Sequence, residues 1–117
     1  MTDYYNKQGL LLPNGVIWAR LAEDPAYRNV AVDVEENFMV TTIWEGHERP
    51  GEGTGIFETT IHKDGDPKQR FRWRDLDAAI KGHAEICRQA LLREPQPEDL
   101  YLERIVEIER NLDAARR

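Results

Sequence analysis

The chain has 117 residues, enough for one domain with a sizeable core and no need of disulfide or metal staples. Its 22 acidic and 16 basic side chains give a formal charge of -6, which disfavours nucleic acid and anionic membrane as partners because the mean field repels phosphate. The single cysteine, Cys87, excludes an internal disulfide and a thiolate zinc site. The absence of serine excludes Ser/His/Asp catalysis, and no apolar run reaches membrane-spanning length.

The first residues, MTDYYNKQG, lack the basic start and apolar core of a signal peptide, so a reducing cytoplasm is the expected location. Leu10-Leu11-Leu12 before Pro13 reads as an extended arm anchored on the core. Asn14 is suited to cap a short helix, Gly15–Ala22, whose inward stripe would be Ile17, Trp18 and Leu21; Glu23-Asp24-Pro25 breaks it.

From Asn29 the period changes to two. Val30, Val32 and Val34 alternate with Ala31, Asp33 and Glu35, which predicts a half-buried strand with the valines on one face. Phe38–Glu45 is β-branched and aromatic with no charge before Glu45, which predicts a central strand with a buried Trp44. After the loop Gly46–Gly55 come strands at Ile56–Lys63 and Gln69–Arg74, joined by the turn Asp64-Gly65-Asp66-Pro67. Short links make an antiparallel meander the simplest order.

Asp75 caps a helix predicted to run to about Arg93, with Ala79, Ile80, His83, Cys87, Ala90 and Leu91 inside. Gly82 costs that helix about 1 kcal/mol relative to alanine, which close packing against a strand would offset. Glu94–Pro97 ends it and starts a last helix, Pro97–Arg117, with the stripe Tyr101, Ile105, Ile108 and Leu112. The fold class is therefore α+β. A domain over residues 1–94 holds a four-stranded antiparallel sheet with one long helix on a face and a short amino-terminal helix. Residues 95–117 supply a carboxy-terminal helix that belongs to the same domain or to a homodimer interface.

The segments WARLAEDPAYRNVA at Trp18–Ala31, then MVTTIWEG, GIFETTI and AAIKGH at Ala78–His83, carry a resemblance. In this order they resemble a family of small uncharacterised proteins encoded by phages and prophages of Gram-positive bacteria, with patterns W-A-x-L-x-E-D-x-x-Y, V-S-T-V-W-L-G, I-F-E-T-M-V-F and E-A-x-x-G-H. The likeness spans Tyr4–Leu92, and the chain departs from it at Glu45, in the shortened loop before His47, and at His62. It implies a phage origin and a bacterial host cell, and no activity.

Three groups of residues are candidate sites. The loop GHERPGEGTG, with His47 and Glu48, lacks the Lys-Ser/Thr ending of a phosphate cradle, leads into a strand, and reads as a partner-binding hairpin tip. Arg70, Arg72 and Arg74 alternate with Phe71 and Trp73, which reads either as a binding strip or as a charged edge guarding against aggregation. His47, His62 and His83, with Glu45 and Glu58, form the one set suggestive of a metal or acid–base site, since Glu58 and His62 share a strand face and His47 could lie near that end of the sheet, against a bland alternative of exposed strand residues and a half-buried helix histidine. His83 and Cys87, at i and i+4, read as core rather than as a reactive dyad. The expected function is that of a non-enzymatic accessory protein with no cofactor. It would bind a host or phage protein, with inhibition of a host defence system as one form. A small metal-dependent enzyme using His47, Glu58 and His62, and a minor virion component, are the alternatives.

Overall fold

The computed structural model describes residues 2–49, 51 and 54–95. The carboxy-terminal stripe of Tyr101, Ile105, Ile108 and Leu112, and any dimer built on it, lie outside them. No helix among the described residues is long and apolar enough to cross a membrane.

Strands β1 (Asn29–Glu35), β2 (Phe38–Trp44), β3 (Phe57–Lys63) and β4 (Asp66–Trp73) form an antiparallel meander in the order β1-β2-β3-β4. Helix α1 (Gly15–Ala22) starts where the Asn14 side chain accepts from the amides of Val16 and Ile17 at 3.0 and 3.1 Å. A one-turn helix α2 (Pro25–Arg28) follows, with Pro25 at its first turn and the Asp24 carboxylate accepting from Ala26. Helix α3 (Leu76–Ile86), capped by Asp75, packs across one face of the sheet.

Ile17 turns partly to water at 38 % exposure, so the inner side of α1 is Trp18 with Leu21 and Ala22. The expected single helix to Arg93 ends early. Past Ile86 it widens into a π-helical turn, Cys87–Leu91, and stops at Leu92 in the left-handed region, φ 58°. This turn brings Arg93 back onto β1, where its guanidinium donates to the Asp33 and Glu35 carboxylates at 2.9 and 2.8 Å and to the Val34 carbonyl.

The alternation expected of β1 is broken by a bulge between Asn29 and Ala31. Val30 therefore joins the cluster around Trp44, while register places Asp33 opposite Val40, on the face under α3. A residue expected on the polar side is only 2 % exposed. Two apolar clusters form that core face. One joins Val40, Ile86, Cys87 and Leu91; the other joins Trp44, Ile56, Phe57 and Ala79 with the arm and α1. Gly82 is where α3 meets the sheet, since a Cβ there would lie 2.3 Å from the Trp73 ring. The β3–β4 turn is tighter than expected. Asp64 and Gly65 alone turn the chain at positive φ, and Pro67 lies within β4, an edge strand where its missing N–H is tolerated.

Candidate functional site

A cleft opens at the end of β2, where α1, α2 and the segment after Trp44 meet. Two indoles lock this region. Trp18 Nε1 donates to the Glu45 carbonyl at 2.7 Å and Trp44 Nε1 to the Tyr5 carbonyl at 3.0 Å, so the end of β2 is tied to both α1 and the amino-terminal arm. Gly46 follows at φ +79° beneath both indoles. A Cβ there would come within 2.5 Å of Trp44 and 2.8 Å of Trp18, which leaves glycine as the residue that fits.

The cleft holds about 250 Å³ between Trp18, Trp44, Glu45, His47, Arg28 and Arg49. Tyr4 stacks on Trp18 with centroids 4.5 Å apart, and His47 stands edge-on to both rings at 5.9 and 5.5 Å. The wall is thus aromatic and rigid, and the rim is basic.

Beneath the cleft lies a charged cluster on the sheet face opposite α3. Arg72 Nη1 reaches Glu45 at 3.0 Å and Glu58 at 3.2 Å, and Nη2 donates to the carbonyls of His47 and Gly55 at 2.8 and 2.9 Å. Arg49 closes on Glu45 at 2.9 Å, and Arg70 stands 3.6 Å from Glu58. Burial, joined by the hydrogen bond and the charge of Glu45, pushes Glu58 up to about 7. Burial also pushes Glu45 upward, but its hydrogen bonds with Glu58 and Arg72 outweigh this and hold it below the usual carboxylate value. The pair therefore holds a single proton between them only below about 7, beside a guanidinium that is 4 % exposed.

This corrects the arginine strip. Arg70 and Arg74 are exposed, but Arg72 is consumed internally, because the loop over β3 and β4 presents carbonyls that only a buried donor satisfies. Of the loop residues, His47 borders the cleft and Glu48 is exposed. The proposed trio of His47, Glu58 and His62 is not assembled. Glu58 is held by Arg72, His47 stands against Tyr4 and Trp18, and His62 Nε2 lies 3.3 Å from Thr41 Oγ1.

The side chains that do converge are on the other face, under α3. His83 Nε2 lies 2.7 Å from Asp33 Oδ2 and Nδ1 lies 2.7 Å from Thr42 Oγ1, which is 2.5 Å from Thr59 Oγ1. Trp73 Nε1 donates to Thr59 at 2.9 Å. Burial lowers His83 from its ordinary value despite Asp33, so the ring is neutral and every proton has one direction: Trp73 to Thr59, Thr59 to Thr42, Thr42 to His83, His83 to Asp33.

A hydroxyl, an imidazole and a carboxylate in line have the composition of a nucleophile–base–acid set, with Thr42 in place of the missing serine. Thr42 and Thr59 are 0 % exposed and His83 and Asp33 2 %, so no substrate reaches the hydroxyl. Asp33, His83 and Cys87 also lie close enough to share a metal, their donor atoms within 4.8 Å of one another. The chemistry of the set argues for a self-contained network instead. Burial pushes the Cys87 thiol up to about 12, and the Arg93 guanidinium 2.9 Å from Asp33 opposes a cation. Sequence reasoning placed His83 and Cys87 in the core but missed Asp33. The signal was a lone acid in the middle of a valine strand.

No protein-family model, curated protein or solved structure matches the chain.

Proposed function

We propose that the protein acts by binding another protein and not by catalysis, as a phage accessory factor whose target is a host or phage protein in the bacterial cell. The observation that carries this reading is the separation of chemistry from access. The open cleft offers aromatic walls and guanidinium charge without an activated nucleophile, while the set with a catalytic composition among the described residues is closed on all sides. The likeness to phage proteins supplies the context, and a component of a host defence system is the target that context favours. Tagged protein tests the reading by capture from host lysate, identification of what is retained, and reconstitution of the pair from purified components. A purified partner that binds in a defined ratio supports it. Failure to retain any partner that survives reconstitution, across lysates of hosts of different species, overturns it.

A further inference from the structure

The cleft beside Trp18 has a size, a wall and a charge that together specify what enters it. Its volume of about 250 Å³ lies below the roughly 300–1,000 Å³ usual for cofactors and small-molecule ligands, and suits one or two side chains of a larger partner. Its wall is apolar where it faces the opening, because the polar atoms of both indoles are already spent inward on Glu45 and Tyr5. Its charge is positive in a protein whose overall charge is -6. Glu45, the acid in the lining, is neutralised by Arg72 and Arg49 at 3.0 and 2.9 Å. Arg28 also lines the cleft, and its side chain makes no hydrogen bond or ion pair among the described residues.

The geometry points to the cleft as a recognition pocket for an extended peptide segment of a protein partner, in which a carboxylate side chain meets Arg28 and a neighbouring apolar side chain lies on Trp18. This deepens the binding reading above and rests on it. A planar guanidinium beside an aromatic face is suited to a carboxylate, which it grips with two parallel hydrogen bonds, while the ring takes the adjacent side chain. Tyr4 behind Trp18, Gly46 beneath it and the tie to Glu45 hold that ring before a ligand arrives, so little ordering is lost on docking.

The test is a titration of the full chain, followed by the ¹⁵N–¹H signals of the Trp18 and Trp44 indoles. Three probes are compared: the peptide acetyl-Ala-Leu-Glu-Phe-Ala-amide, its Gln counterpart, and inorganic phosphate. The expected result is saturable shifts of the Trp18 indole with the Glu peptide at millimolar concentration, at least tenfold weaker binding of the Gln peptide, and loss of the shifts in Arg28→Glu with the remaining spectrum unchanged. Equal binding of the Gln peptide, or no shift with either peptide, overturns the proposal. Phosphate producing the same shifts at the same concentrations makes this a general anion site and also overturns it. The two readings fail separately. A reconstituted partner that binds Arg28→Glu as tightly as the unmodified protein removes the cleft from the interface and leaves the binding function standing.

Discussion

The two faces of one sheet carry polar clusters made of similar ingredients and built to opposite ends. Under α3, Asp33, His83, Thr42 and Thr59 form a chain in which each group has a partner and water is excluded. Across the sheet, Glu45, Glu58 and Arg72 are also buried, but Arg49 and Arg70 carry the cluster out to the surface at 41 % and 54 % side-chain exposure, and Glu45 borders the cleft. The first cluster fixes how the helix sits on the sheet. The second sets the electrostatics of an opening. Burial alone does not mark a functional site; a path from the buried group to solvent does.

Breaking either cluster at its centre has the largest expected effect. Asp33→Ala leaves the His83 N–H without its acceptor in a closed space and takes one of the acceptors from Arg93, and unfolding in urea is expected to show a loss of about 3–5 kcal/mol. Arg72→Met is expected to fall in the same range of about 3–5 kcal/mol, since it removes the buried partner that two carboxylates share and the donor to the carbonyls of His47 and Gly55. The comparison breaks if Arg72→Met unfolds at the same urea concentration as the unmodified protein, which would make this cluster a surface feature.

Much of the architecture was legible because its signals are local. Asn14 and Asp75 as caps, the Asp64-Gly65 turn and the apolar run of β2 act over a few residues, and each decided its element. The interior use of Gly82 was legible for a similar reason, since a helical glycine beside an aromatic strand calls for close approach. What escaped the sequence was long-range pairing. A bulge at Val30 changes which side of β1 faces the helix, and no residue near Asp33 announces that His83, fifty positions later, will be its partner. Arg72 read as one of three equivalent arginines because alternation assigns a face but does not reveal that a loop closes over part of it.

The pH dependence of stability sharpens the comparison at the next level down. Burial lowers His83 in the folded protein below its ordinary 6.5, so as pH falls below about 6.5 the unfolded chain takes up a proton first and folding loses stability. Glu58 acts in the other direction. Its folded value of about 7 lies above the ordinary 4.5, so its contribution is full below 4.5 and is lost as pH rises to about 7. Between 4.5 and 6.5 the two slopes oppose each other. In Glu58→Gln the opposing slope is gone, and the urea midpoint is expected to fall more steeply with acid than in the unmodified protein. A slope equal to the unmodified one would show that Glu58 keeps an ordinary carboxylate value.

The smallest expected effect comes from Arg70, two residues from Arg72 and on the same face of β4. Its guanidinium is 54 % exposed and stands 3.6 Å from Glu58, whose closer partner is Arg72 at 3.2 Å. An exposed pair of this kind contributes about 0–1 kcal/mol, because solvent screens it and a long side chain must be ordered to make it. Arg70→Met is therefore expected to change the urea midpoint little, and less still in high salt, where the unmodified pair is already screened. Set beside Arg72→Met, it separates a buried arginine with several partners from an exposed one with a single partner, since both remove the same group from the same carboxylate on the same strand. If the two variants lose equal stability, the distinction between a buried tie and a surface guard fails, and the loop's carbonyl contacts to Arg72 contribute nothing measurable.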